Sequence, residues 1–181
     1  MNNIIFPKWK KELRAAIKKE GKFSSNKWVQ FATVNKFNEP RVRTVVFRGW
    51  HRENSMLIYT DKRTKKIEDL ENNKNVEVLW LFLKSKYQFR FKGNAFTLQE
   101  SSKEWESLSD KSKESWFWPS PGKKVNKEFS KKTEKKLIKP NNFIVLSIDI
   151  FSVELLKLQK PIHKRFVWEE DNNWKSRELN P

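Results

Sequence analysis

The chain has 181 residues, a net charge of +17 from 39 Lys+Arg against 22 Asp+Glu, and 36% hydrophobic residues that include nine Trp and fourteen Phe. That length bounds one domain with a single substantial core, and four Gly and seven Pro are too few for a low-complexity chain. The lack of cysteine excludes disulfides, thiol nucleophiles and thiolate metal sites, and two histidines, His51 and His163, leave little for zinc or a triad, so no metal is expected.

After Pro7, Trp9, Leu13, Ala16 and Ile17 recur at helical spacing and Gly21 stands where a C-terminal cap would, which predicts an amphipathic helix over 7–20. Aromatic and β-branched runs at 28–34 and 41–47 predict two strands joined by the polar turn 35–40, and 56–60 predicts a third. A helix is expected over 62–71 with Ile67 and Leu70 inward, then strands at 76–83 and 87–98, the whole reading as an antiparallel meander with one inserted helix. Ser101 and Glu104 have the spacing of a capping box for one or two short helices through 117, which the Trp118–Gly122 segment then breaks. The lysine-rich stretch 123–140 reads as a mobile surface loop. Strands return at 143–150 and 153–158, and 164–168 with 174–179 close the chain as a hairpin. Many short strands with a few peripheral helices predict a mainly β (α+β) fold, an antiparallel closed or split barrel, as one domain over 1–181.

No run reaches the length of a membrane helix, and the N-terminal Met-Asn-Asn-Ile-Ile-Phe-Pro lacks a secretory layout, so a soluble, cytoplasmic protein is expected with no membrane partner. The positive field attracts phosphates or polyanions without choosing between them, and lysines such as Lys10, Lys11, Lys18, Lys19, Lys131, Lys132, Lys135 and Lys136 read as solvated surface. Gly21, Gly49, Gly93 and Gly122 are too far apart to form a phosphate-cradling loop, so an anion would be held by side chains. Arg41, Arg43 and Arg48 on one strand can grip a phosphate, with the helix start at Arg63, Thr64, Lys65 and Lys66 adding N–H groups and a hydroxyl. Alternation alone instead turns Arg41 and Arg43 to solvent and Val42, Thr44 and Val46 inward. Arg48 then has the opposite parity, and a bulge, a strong twist or the strand end near Gly49 is needed for Arg43 and Arg48 to face one ligand.

The stretch Pro40-Arg-Val-Arg-Thr-Val-Val-Phe-Arg-Gly49, the segment from Tyr59 to Lys66, Tyr87-Gln-Phe-Arg-Phe-Lys-Gly93, and the ending Arg165-Phe-Val-Trp168 with Trp174 to Pro181 resemble the pyridoxamine 5'-phosphate oxidase family. With Trp118-Pro-Ser-Pro-Gly122 they are most similar to its cyanobacterial and plant FMN-binding subfamily; the likeness runs over residues 27 to 99 and 143 to 181. The resemblance implies an FMN-binding split barrel that dimerises with FMN at the subunit interface, and an FMN-dependent oxidoreductase. It implies that Arg43, Thr44, Val45, Val46 and Arg48 line FMN, that Tyr59 and Thr60 lie along the flavin, and that Arg63, Thr64, Lys65 and Lys66 supply the phosphate site. Gln88 and Arg165 would reach FMN from the partner subunit. Arg48 and His163 are the candidates for facing the substrate, Arg41 is expected at the surface, and no general base stands out.

Departures from the family pattern leave the substrate unnamed. Leu155 stands where the oxidases carry a Trp near the flavin, Pro161-Ile-His163 replaces their Arg-Leu-His, and Trp105 to Lys113 has no counterpart of their substrate-phosphate clamp. Each lost hydrogen bond to a charged group removes ~1.5–3 kcal/mol, so pyridoxamine phosphate is expected to bind poorly in the family's pose. Two other readings stand beside this one: a basic β-domain stacking single-stranded nucleic acid, which is disfavoured, and a split barrel holding a deazaflavin or haem-derived ligand, or FMN without turnover.

Overall fold

The N-terminal helix forms over Lys8–Glu20 (α1) because Trp9, Leu13 and Ala16 share one buried stripe, and it ends at Gly21, whose φ of 91° suits a residue without Cβ. The computed structural model describes residues 7–124 and 137–181. Eight strands follow in chain order: β1 Trp28–Val34, β2 Pro40–Trp50, β3 Ser55–Asp61, β4 Asn75–Phe82, β5 Tyr87–Thr97, β6 Phe143–Lys157, β7 Lys164–Glu169 and β8 Arg177–Leu179. Short helices α2 Lys65–Asn72, α3 Ser102–Glu106 and α4 Asp110–Glu114 lie between them.

All pairings are antiparallel, in the order β3-β2-β1-β4-β5-β6-β7-β8, and a further β3–β6 pairing closes the first six into a barrel while β7 and β8 continue beyond it. The chain is therefore not a simple meander: α2 carries it from β3 past the first hairpin, so that β4 pairs with β1. The barrel interior holds Phe31, Met56, Ile58, Trp80, Phe89 and Phe91. Outside the β3–β6 seam, Trp105 of α3 and Leu108 cover Leu57, Phe143 and Val145 in a second apolar cluster.

Several expectations change on this frame. β6 is one 15-residue strand rather than two, because Lys92 pairs with Ser152 and Gly93 with Ile150, leaving Phe151 as the extra residue of a bulge. A Cβ on Gly93 would stand 2.6 Å from the Asp149 carbonyl oxygen and 2.9 Å from Ile148 Cγ2. Backbone cannot yield as a side-chain tip can, so Gly93→Ala is expected to destabilise the protein by about 1–3 kcal/mol, read by denaturant unfolding. The capping box at Ser101 does not form: its N–H donates to Glu100 Oε1 and its hydroxyl accepts from Lys139 Nζ. The closing hairpin is shorter than expected, with a 3-10 turn at Glu170–Asn172 before β8. Lys10, expected in solvent, is 7% exposed and donates to the Glu53 carbonyl. Of the expected loop over 123–140, residues 125–136, with Lys131, Lys132, Lys135 and Lys136, lie outside the described residues. Among the described residues no helix is long and apolar enough to cross a membrane.

Candidate functional site

The facing of β2 is the reverse of the one that alternation alone gives. Val42 is 65% exposed and Thr44 is open to solvent, while Arg41, Arg43, Val45 and Phe47 turn toward the barrel interior. Guanidinium groups are tolerated there because Asp69 on α2, 1% exposed, meets them at the barrel mouth. Its carboxylate accepts from Thr33 Oγ1 at 2.7 Å and from Arg41 Nη1 at 2.9 Å, and lies 3.5 Å from Arg43 Nη2. Arg43 Nη1 also donates to Thr33 Oγ1 at 2.7 Å and to the Phe31 carbonyl at 3.2 Å. Burial lowers the Arg43 pKa, Asp69 opposes the shift, and Arg41 adds to it. Arg41 is thus part of a partly buried charge network centred on Asp69 rather than plain surface. Nothing in the sequence-level pattern singled out Asp69 or Thr33, although a carboxylate one position before the inward Leu70 was the available signal.

One face of α2 along from Asp69 stands Lys66. Its ammonium donates to Thr60 Oγ1 at 2.8 Å and to Thr64 Oγ1 at 2.9 Å, both neutral hydroxyls. Burial, and then the nearby positive charge of Arg43, lower its pKa to about 8, with Asp61 and Asp69 pulling the other way. Thr64, the residue before α2, gives its own proton to the Asp61 carbonyl oxygen. The first-turn N–H groups of a helix lack intrahelical partners, so they add to the positive end of this cluster. A half-buried ammonium bonded to hydroxyls and crowded by an arginine could hold an added anion such as a phosphate.

The other candidates sort into distinct places. On the outer side of β3, Tyr59 packs edge-on against Phe143 at 5.5 Å, and the Arg48 guanidinium lies 5.1 Å from the Tyr59 ring centre. Loss of water there lowers the Arg48 pKa, against the influence of Tyr59. Of the irregularities that could bring Arg43 and Arg48 to one ligand, a bulge is present between Phe47 and Gly49. Val45 is half-buried against the core, Val46 is half-buried, and Lys65 is exposed. Arg63 spans Asp61, with Nε 3.0 Å from Oδ1 and Nη2 2.6 Å from Oδ2, and also donates to the Trp118 carbonyl at 3.1 Å. Gln88 and Arg165 share one cross-strand row through Leu156 on the outer face of the sheet, and Arg165 bonds Glu154 at 2.7 Å. His163 is exposed, its Nδ1 3.1 Å from the Gln159 carbonyl. Leu155 is fully buried, in register with Phe89 and Phe166, so at that position the side chain serves the core.

A single chain therefore does not assemble all the candidates. Arg43, Thr60 and Lys66 cluster at the barrel mouth, whereas Gln88 and Arg165 lie on the outside of the barrel wall. Three surface cavities, all touching the Arg52–Asn54 turn, include none of these residues. Among the described residues no cluster of His, Cys, Asp and Glu could hold a metal.

Fold and charge together define a split barrel with the cationic side chains Arg41, Arg43 and Lys66 gathered at its mouth. The model of the pyridoxamine 5'-phosphate oxidase, FMN-binding domain family matches residues 6–99, and the chain belongs to that family, whose cofactor is FMN. It is 34% identical over 133 residues to pyridoxine/pyridoxamine 5'-phosphate oxidase 2 of Arabidopsis thaliana, covering 67% of each chain. Among solved structures it is similar to a pyridoxamine 5'-phosphate oxidase-related, FMN binding protein of Nostoc punctiforme, with TM-score 0.87 and 27% identity over 96% of this chain and 97% of the other. PhzG of Burkholderia lata, 19% identical over 96% of this chain and 90% of that one, shares the fold with TM-score 0.80.

Proposed function

We propose that the chain is an FMN-dependent oxidoreductase that works as a homodimer, with each FMN held by residues of both copies. The observation that carries the phosphate end is the Lys66 ammonium, set beside Arg43 and bonded, among the described residues, to the hydroxyls of Thr60 and Thr64. Lys66, Thr60 and Thr64 bind the phosphate, Arg43 adds positive potential from the barrel mouth, and Tyr59 with Arg48 borders the ring. When bound, FMN supplies hydride or electron transfer, and the protein's part is to orient it and tune its ring.

Two observations support the dimer. Gln88 and Arg165 are separated from the phosphate cluster by the barrel wall, so they reach an FMN held there only from another copy. Their row carries exposed apolar neighbours, Leu81 through its pairing with Gln88 and Leu179 through its pairing with Arg165, in the manner of an interface core. The Arabidopsis relative's name points to an oxidase reaction. The loss of the Arg in Pro161-Ile-His163 leaves His163 and Arg48 to meet a substrate other than pyridoxamine phosphate in its family pose.

The purified protein is expected to be yellow and to lose its flavin absorbance when FMN is stripped. Lys66→Ala and Gln88→Ala, each weak in FMN binding alone, are expected to regain tight FMN at about a quarter of the sites when co-refolded in equal amounts, since half of the dimers are mixed and each mixed dimer holds one intact site. Recovery of none of the FMN binding on mixing, with dimers formed, sinks the shared-site arrangement.

A further inference from the structure

The Asp61 carboxylate is a hub that ties the flavin turn to a distant aromatic segment. It accepts from the Arg63 backbone N–H at 2.8 Å, from the Arg63 guanidinium through both oxygens, and from Asn142 Nδ2 at 3.0 Å. Burial would raise its pKa, but the Arg63 side-chain and backbone donors and the Asn142 amide outweigh it and hold the carboxyl below the usual range. The two partners then each grip a carbonyl of the segment after α4: Asn142 Nδ2 donates to Trp116 O at 3.0 Å and Arg63 Nη2 to Trp118 O at 3.1 Å. Asn142 is itself held by the Lys62 N–H on its carbonyl at 2.8 Å.

Between these clamps the rings divide. Trp116 turns inward and meets Phe143 edge-on at 4.8 Å, on the ring that Tyr59 also contacts. Phe117 and Trp118 remain 45% and 55% exposed although their backbone is pinned. The Trp118 indole is thus presented to solvent from a backbone fixed at its carbonyl, where its face is open to another ring. The nearby cation Lys113 is engaged, 3.7 Å from Glu106 and over the Trp105 ring. The pinned stretch Trp116–Trp118 thus offers a stacking face and carries no cationic side chain of its own.

Resting on the flavin reading above, we infer that Arg63 is a positioning residue and not a phosphate ligand. It latches the Trp116–Trp118 stretch across the Tyr59–Lys66 turn so that Trp118 walls the substrate side of the flavin site proposed above, and that wall takes a flat, uncharged ring system. The indole stacks on the face of such a ring, and the Trp116–Trp118 stretch brings no charge of its own to bind a phosphate.

The test uses full-length protein loaded with FMN, as wild type, Arg63→Ala, Trp118→Ala and Lys66→Ala. FMN affinity is measured first, and then the perturbation of the flavin absorbance spectrum on titration with menadione and, separately, with pyridoxamine 5'-phosphate. The expected result is that Arg63→Ala and Trp118→Ala keep FMN far better than Lys66→Ala yet both bind menadione several-fold more weakly than wild type, with pyridoxamine 5'-phosphate inert. Trp118→Phe, which keeps a ring, is expected to recover much of the menadione response. The inference is overturned if Arg63→Ala loses FMN as severely as Lys66→Ala, or if menadione binds both variants as it binds wild type or does not bind wild type at all. Failure of wild type to take up FMN instead refutes the flavin reading itself.

Discussion

Lys66→Met is expected to weaken FMN binding roughly 10- to 150-fold while leaving the ligand-free protein at least as stable as wild type at neutral pH, because a charge-assisted bond to phosphate contributes about 1.5–3 kcal/mol. The two effects have opposite signs for one reason. In the ligand-free fold the ammonium has given up water for two hydroxyls and sits near Arg43, which lowers its pKa from 10.5 to about 8. Between those values the unfolded chain binds more protons than the folded one, so this group makes the ligand-free protein more stable as pH rises from about 8 toward 10.5. A bound phosphate reverses the preference by pairing with the ammonium, and the complex retains the proton. FMN affinity in wild type is therefore expected to fall as pH climbs through about 8. It also weakens below the second phosphate pKa near ~6, where the ligand loses a charge. Fluorescence titration of FMN from pH 5.5 to 9.5 should show a maximum between those limits, and the Met variant should lose the alkaline limb alone. An unchanged alkaline limb in Lys66→Met removes Lys66 from the phosphate site.

Much of the architecture was legible because it is local. α1 and β1 follow from the spacing of Trp9, Leu13 and Ala16 and from a run with every second residue buried, and both formed close to their expected bounds. The sorting of Thr60, Thr64 and Lys66 into one cluster is local too, since a strand end, a turn and a first helical turn bring them together. The facing of β2 was not legible. Period-two alternation tells which residues share a face, but the choice of inner face belongs to whatever packs against it, and Asp69 arrives from 28 residues beyond Arg41. The same holds for Arg63, whose sequence neighbours suggest a phosphate ligand while Trp118, 55 residues away, claims part of its guanidinium. β6 was divided at Phe151 because a bulge interrupts alternation just as a strand end does, and only the register against Gly93 distinguishes them. Only the resemblance to the FMN-binding family implies that Gln88 and Arg165, on the outside of the barrel wall, serve the same ligand; their own placement gives no sign of it.

Asp69→Ala is expected to be the most damaging single change, costing about 3–5 kcal/mol of stability, because removing one partner of a buried ion pair leaves the other charge uncompensated. Here two charges are left, since Arg41 and Arg43 both point at the carboxylate and Thr33 also donates to it. For a chain of this size that corresponds to a fall in Tm of roughly 6–20 °C. Asp69→Asn keeps an acceptor of similar shape and should lie between wild type and Ala, which separates lost charge from lost packing. The network's place at the barrel mouth adds a second, functional signature. Asp69 is the internal counter-anion of the two arginines, so in the Ala variant an external anion can take over that role. Inorganic phosphate is then expected to raise the Tm of Asp69→Ala by more than it raises that of wild type, and Arg41→Ala in the Asp69→Ala background should recover part of the lost stability by removing one of the stranded charges. A loss below about 1 kcal/mol in Asp69→Ala, within the range of an exposed pair, would mean that the arginines find water at the mouth of the barrel and that the inward face of β2 is held by its apolar residues alone.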